Sequence, residues 1–391
     1  MKIDINKIKL IPEKFGFGFC KWGELDEELL NWTQYHGLKT EKSGPFTNIL
    51  LNEDIIISDL FIEPKSYKYV DGFSPNLNKN LHVGHLSNLV IANAFQNMNI
   101  GEQFIAIFGD TLDGKVEKED ALKKYYQYCK DFDYKVSKEF YASEMKIKDD
   151  SILIEGEGDY EGSKAFDIDG QKIVGVKSTG NTTYFYQDVA LAQELDADTL
   201  YLTGFEQNGH FQSLNKLYPT VNHIGLGLIF LDGKKMSSSE GNIIYLQDFI
   251  DDLMKEFGNI KLVYNILAGQ ILKSLPGGKK TIDTSLLDNP KISFGLYLSY
   301  TMAHIKSCGV MTKNYTEYDS QELAFADMKA KSNLTPNVLL DALVKHCKKI
   351  NGLYETHYIK NNPENIELFS GLISDLELGM KTLGMFSIEK V

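Results

Sequence analysis

Residues 67–108 constrain the fold of this chain more tightly than any other stretch. Tyr67 to Phe73 reads as a short strand and Ser74-Pro75-Asn76 as a turn. Val83, Leu86, Val90, Ala94 and Met98 then fall at spacings of three and four, the apolar stripe of a helix. Phe104 to Phe108 is a compact apolar run ending at Gly109-Asp110, which predicts a buried strand. Two further apolar runs, Leu200 to Phe205 and Ile224 to Leu231, each lead into a polar loop containing glycine. Strands alternating with helices predict an α/β fold with a parallel sheet. From about 113 to 180 the chain is charged and broken into short strand-like pieces such as Gln171 to Val176. That stretch reads as an insertion between the halves of the sheet.

The C-terminal part follows a different rule. Leu339, Leu343, Cys347, Ile350 and Tyr354 form one helical stripe, opened by Thr335-Pro336 as cap and first turn. Ile366, Phe369, Ile373, Leu376, Met380 and Leu383 form a second. An all-α domain is therefore expected over 291–391, after an α/β domain over 66–290. Residues 1–65 carry no interpretable motif and are left as a short region of unknown role.

Charge narrows the class of partner. The net charge of −13 excludes a generic basic nucleic-acid coat but leaves room for a local cationic groove. The first residues, MKIDINKIKLIPEK, lack the apolar core of a signal peptide, and no apolar run approaches bilayer length. Cys20, Cys129, Cys308 and Cys347 match no zinc or redox spacing, so reduced thiols in a cytoplasmic protein are expected. All 41 basic residues counted as lysine or arginine are lysine; the chain holds no arginine. An even share of the charged quarter of an ordinary protein would be about 20.

Two strings carry chemistry. His82-Val83-Gly84-His85 stands at the start of the first long helix. Two imidazoles there can donate to phosphate oxygens, and the helix dipole and unpaired N–H groups add to the attraction. Gly84 lets a flat base or ribose approach the backbone. The second string, Lys234-Lys235-Met236-Ser237-Ser238-Ser239-Glu240-Gly241-Asn242, follows a turn at Asp232-Gly233. Its cations and hydroxyls can close over a triphosphate and meet charge that grows on pyrophosphate. Either string alone also suits a surface helix start or a mobile hairpin.

Together, in this order and about 150 residues apart, the strings resemble the HxGH and KMSxS signature pair of class I aminoacyl-tRNA synthetases. The surrounding residues narrow the resemblance to arginyl-tRNA synthetases. Asp71-Gly-Phe-Ser74-Pro75-Asn76-Leu-Asn-Lys79-Asn-Leu-His82-Val-Gly84-His85 follows that family's pattern of Pro-Asn, lysine and HxGH. The likeness continues in Lys177 to Asp188, in Gly204 to Phe211 and in Phe294 to Lys306, and covers roughly residues 67–391. It implies a Rossmann-type doubly wound parallel sheet with an insertion, followed by an anticodon-binding-like helical domain. It implies an arginine–tRNA ligase working with ATP, substrate-bound Mg²⁺, arginine and tRNA(Arg), without a membrane, as a cytoplasmic monomer.

The resemblance also assigns residues. His82, His85, Lys79 and Lys235 would be catalytic. His82, Gly84, His85, His210, Lys234, Lys235, Met236 and Ser237 would bind ATP. Asp71, Ser74, Asn76, Tyr184, Asp188 and Gln207 would bind arginine, and Lys306, Lys348 and Lys349 the tRNA. No metal is expected on protein ligands. Elementary chemistry agrees with the choice of amino acid, because a guanidinium wants carboxylates in a fork. Tyr184 and Asp188, four apart at a helix start, share a face, and Asp71 ends a strand aimed at the same crevice. The chain departs from the family where arginine is usual: Ser87, Gln187, Ser239 and His304 stand at those positions. Three other readings follow from these features: a backup or resistance form of the ligase, a paralogue passing activated arginine to another acceptor, and an inactive tRNA sensor.

Overall fold

The structure is a computed structural model and describes residues 1–11, 18–51, 55–110, 118–236 and 244–391. Along the chain, β1 (Lys9–Leu10), β2 (Gly18–Trp22), β3 (Lys39–Ser43) and β4 (Phe46–Leu50) pair antiparallel in the order β1-β2-β4-β3. Helix α1 (Glu27–Tyr35) lies between β2 and β3, and the short α2 (Ile57–Leu60) follows β4. Asp26 starts α1 as its N-cap, its carboxylate accepting the Leu29 N–H at 2.9 Å.

The central sheet is made from β5 (Tyr67–Asp71), β6 (Gly101–Phe108), β7 (Lys138–Tyr141), β11 (Thr199–Gly204) and β12 (Val221–Leu226). All pairs are parallel, in the order β12-β11-β5-β6-β7. Helix α3 (Val83–Asn97) joins β5 to β6, α4 (Lys118–Asp131) precedes β7, α5 (Tyr184–Leu195) precedes β11, and α6 (Asn208–Leu217) precedes β12. This is a doubly wound sheet whose strand order reverses between β5 and β11. Ligands in such folds bind outside the carboxyl ends of the strands at that switch point. Asp71 ends β5, and in register it faces Tyr201 of β11 on one side and Ile105 of β6 on the other.

Two expectations are corrected. Within 113–180, β7 belongs to the central sheet and α4 leads into it; the small antiparallel sheet at the side is β8 (Leu153–Glu155), β9 (Lys164–Ile168) and β10 (Gln171–Val176). The run Ile224 to Leu231 is not one strand. β12 stops at Leu226, and β13 (Ile229–Leu231) joins another sheet with β14 (Lys234–Lys235) and β15 (Lys280–Ile282). The break sits at Gly227, whose N–H donates to the Pro276 carbonyl at 3.0 Å. A Cβ there would lie 2.0 Å from the Gly278 oxygen, so only glycine allows this approach.

Helices α7 (Leu246–Phe257) and α8 (Ile260–Leu272) lie between β14 and β15. The C-terminal helices are α9 (Phe294–Ser307), α10 (Gln321–Asn333), α11 (Pro336–Tyr354) and α12 (Pro363–Thr382). Leu339, Leu343, Cys347 and Ile350 of α11 and Phe369, Ile373, Leu376 and Met380 of α12 are buried, as their periodicity predicts. Pro336 opens α11, but the Thr335 hydroxyl makes no cap bond and is buried without a partner among the described residues.

The chain divides into two compact units, Ser66–Gly295 and Met1–Lys65 with Leu296–Val391. Within the second, Phe19, Trp32 and Phe61 pack with Phe325 and Met328 of α10; the Phe19 and Phe325 ring centroids are 5.1 Å apart. Residues 1–65 thus share a core with the C-terminal helices. Among the described residues no helix is long and apolar enough to cross a membrane.

Candidate active site

The segment that follows the lysine-serine string is joined through backbone to the segment that enters α3. Val83 N–H donates to the Ile244 carbonyl at 3.1 Å, and Leu246 N–H donates to the Leu81 carbonyl at 2.9 Å. His82 and Tyr245 form an antiparallel bridge between these bonds. The segment leaving the lysine-serine string is therefore stitched to the segment entering α3, although about 160 residues separate them.

At the head of α3 the histidines cap their own helix. The His82 ring Nδ1 accepts the Gly84 N–H at 3.0 Å, and the His85 Nδ1 accepts the His82 N–H at 3.1 Å. An Nδ1 that accepts leaves the proton of a neutral imidazole on Nε2, so both rings present Nε2–H as a donor. Burial, with Lys79 nearby, lowers the His82 pKa below its ordinary value. Burial first, then the neighbouring His82, pushes His85 down to about 3. At neutral pH both rings are hydrogen-bond donors rather than cations. The space over Gly84 differs from expectation: the His82 ring occupies it, and a Cβ on Gly84 would lie 2.6 Å from that ring. Glycine is needed there to seat the histidine.

The cationic side comes from the β13–β14 hairpin. Asp232 and Gly233 both have positive φ, 48° and 77°, the conformation of a two-residue hairpin turn. Lys235 pairs with Phe230 and Lys234 with Leu231, and Met236 N–H donates to Ile229 at 2.9 Å. Lys234 is exposed, as is Lys79 on the loop before α3. Ser237 and the rest of the string through Asn242 lie outside the described residues.

The acidic side lies at the switch point. Asp71 is buried, and burial pushes its carboxyl up to about 7, with the Ser74 hydroxyl opposing and the Asp188 charge adding to the shift. Ser74 donates to Asp71 and accepts the Ile107 N–H at 2.7 Å, so its hydroxyl braces the β5 loop. Asn76 accepts the Asn78 N–H at 2.9 Å in a local turn. Asp188 of α5 receives His210 of α6, Nε2 to Oδ2 at 2.6 Å. The structure therefore sets His210 against the acid rather than apart from it. Tyr184 and Gln207 are exposed at the starts of α5 and α6.

Two residues escape a reading from sequence. Tyr201 is buried, its hydroxyl has no hydrogen-bond partner among the described residues, and it stands in register with Asp71. Burial, with Asp188 and then Asp71 adding, holds its phenol well above the usual range. Lys280 is wholly buried, donating to the Leu275, Pro276 and Gly278 carbonyls at 2.6, 2.9 and 2.7 Å. Burial lowers its pKa to about 8. It clamps the loop that meets Gly227, beside the hairpin. No spacing announces either residue, since both lie within ordinary strand sequence.

In the other unit, Lys348 and Lys349 are exposed on α11. Lys306 is not presented in that way: its ammonium is taken by Glu377 at 3.1 Å, Glu389 at 2.9 Å and the Ser387 hydroxyl at 2.9 Å. Among the described residues no cluster of three or more potential metal ligands is found.

No protein-family model matches the chain. The chain is 24% identical over 318 residues to an arginine–tRNA ligase of Limosilactobacillus fermentum, covering 54% of this chain and 56% of that protein. It spans about half the length of such curated relatives. Its fold superposes on Thermus thermophilus arginyl-tRNA synthetase with a TM-score of 0.61 at 14% identity, covering 97% of this chain and 98% of the other. For the Plasmodium falciparum arginyl-tRNA synthetase the TM-score is 0.65 at 16% identity, covering 98% and 94%. The chain is thus related in sequence to arginine–tRNA ligases and has the fold of an arginyl-tRNA synthetase.

Proposed function

We propose that the chain is an arginine–tRNA ligase. What supports this reading is the pair of phosphate-suited donors at the head of α3 and the two acids, suited to a guanidinium, whose charges are coupled at the switch point. His82 and His85 offer Nε2–H groups at the head of α3, Lys234 and Lys235 stand in the β13–β14 hairpin, and Asp71 and Asp188 stand at the end of β5 and in the first turns of α5. In the first step a carboxylate oxygen of arginine attacks the α-phosphorus of ATP, which arrives with Mg²⁺. The bond to the β-phosphate bridging oxygen breaks, and pyrophosphate leaves. In the second step a ribose hydroxyl of the tRNA's terminal adenosine attacks the arginyl carbonyl, AMP leaves, and the hydroxyl proton is lost.

Each residue does electrostatic or positioning work. Asp71 and Asp188 hold the guanidinium, with Tyr184, Gln207, Ser74 and Asn76 shaping the rest of the arginine site. His82 and His85 donate to oxygens that gain charge as pyrophosphate departs. Lys79, Lys234 and Lys235 neutralise the triphosphate, and Met236 and Ser237 complete the nucleotide side. His210 holds Asp188 in place. Lys348 and Lys349 meet the tRNA backbone. The test is ATP–pyrophosphate exchange with each amino acid, with and without tRNA, followed by aminoacylation of total tRNA. Exchange with arginine and no other amino acid, together with charging of tRNA, is expected. Exchange without charging would reveal another acceptor, and no exchange either with or without tRNA would reveal an inactive sensor.

A further inference from the structure

The chain has 41 lysines and no arginine. The fold does not require this. Lys42 pairs with Glu24, Lys135 with Asp133, Lys216 with Asp169 and Lys255 with Asp252, all with side chains more than half exposed. At such sites either cation serves, since an exposed pair adds little to stability and a guanidinium forks onto a carboxylate at least as well as an ammonium. Lys306, held between Glu377 and Glu389, is a place where a planar fork would suit the two acids. A composition that favours lysine would thin arginine from an expected number of about 20. It would not empty exposed positions where exchange is nearly neutral.

What separates arginine from lysine at those positions is therefore not folding or solubility but synthesis. Making these 391 residues draws on no arginyl-tRNA. Taken with the proposed activity, on which this inference rests, synthesis of these residues does not consume the enzyme's product. We propose that the protein restores arginyl-tRNA in a cell whose resident arginine-activating enzyme has been blocked. An arginine-containing ligase switched on after such a block would stall during its own translation. This one would accumulate, charge the idle tRNA and release the stall.

The experiment uses the full chain and a variant carrying Lys42→Arg, Lys135→Arg, Lys216→Arg and Lys255→Arg, all outside the proposed catalytic and binding residues. Both are first purified and compared in arginine-dependent pyrophosphate exchange with tRNA present, where equal rates are expected. Each gene is then induced from the same promoter only after the host's resident enzyme has been inhibited, beside an arginine-containing reporter. The inference expects the native chain to accumulate at once and growth to resume, with the variant's accumulation and rescue delayed several-fold and the reporter stalled. Equal accumulation and rescue by the variant would overturn it. So would accumulation of an exchange-competent native chain without recovery of growth. Absence of arginine-dependent exchange in the purified protein would overturn the activity first, and this inference with it.

Discussion

His210 Nε2 and the Asp188 carboxylate lie 2.6 Å apart, joining the third residue of α6 to the first turns of α5. The His210 ring also packs edge-on against Phe185 at 5.2 Å and Phe211 at 5.1 Å. On the proposed function, a guanidinium docking on Asp188 shares that carboxylate with a ring already fixed in place. The proposal then gives the histidine a positioning role toward arginine, which the kinetics below test against a contact with nucleotide.

That geometry separates two kinetic constants. Truncating one partner of a buried charge pair costs about 2–5 kcal/mol, so Asp188→Asn should raise the arginine KM by about 30-fold or more. His210→Ala should raise it by a smaller factor, and both should leave the ATP KM within about twofold. A His210 variant that raised only the ATP KM would return this residue to the nucleotide side. Pyrophosphate-exchange kinetics with each substrate varied in turn make the measurement.

Asp71 makes the stability of the fold pH-dependent. Its carboxyl titrates near 3.8 when exposed and about 7 in the fold. Between these values the folded protein holds a proton the unfolded chain has released. Stability therefore falls as pH rises through that window. Asp71→Asn keeps the shape and removes the titration, so its stability relative to the native protein should climb from about pH 4 to pH 7 and level off above. Arginine favours the ionised acid. Its binding at about pH 6 should release a proton, seen as a buffer-dependent heat in calorimetry, and the substitution should abolish that dependence. Tyr201→Phe, which removes the orphaned hydroxyl beside Asp71, should weaken arginine binding without altering the ATP KM.

The histidines should act without a charge change. Because burial depresses both pKa values, kcat at saturating substrates should show no imidazole limb near the ordinary 6.5. His82→Asn retains a good N-cap but loses the Nε2–H donor. Loss of one such donor costs about 10²–10³ in kcat. An Asn variant with native kcat would remove His82 from the reacting oxygens and leave it only the cap.

Legibility in the sequence followed how local each cause was. The strand, turn and helix at 67–97 are written in periodicity and in a short string, and so were the buried faces of α11 and α12. The helix α4 was missed because it buries Tyr125, Tyr128 and Cys129 against a long charged face. The strand β7 was missed because, as an edge strand, it has no fully buried side chain. The break at Gly227 depends on a carbonyl about 50 residues away. The first 65 residues hide their fold in two- to five-residue strands, among them a wholly exposed β3. In the site, the chemical strings were visible, but the seating of His82 over Gly84, the His210–Asp188 pair and the orphaned Tyr201 hydroxyl exist only once distant elements meet.

The lysines of the helical unit divide by what already holds them. Lys306 is spent on Glu377, Glu389 and Ser387, and its side chain is only 12% exposed. Those partners hold its pKa above the ordinary value despite burial. Lys306→Met strands two carboxylates, so its effect should be lower stability in urea with little change in the tRNA KM. Lys348 and Lys349 are exposed on α11, and the proposal gives them the phosphate backbone. Charge reversal at both should raise the tRNA KM at least several-fold. Removing two phosphate contacts should also flatten the dependence of log K on log salt by about 1.4–1.8 units. Aminoacylation across a salt series, with stability measured in parallel, distinguishes the two behaviours. A Lys306 variant that lost tRNA binding at native stability would reverse the assignment.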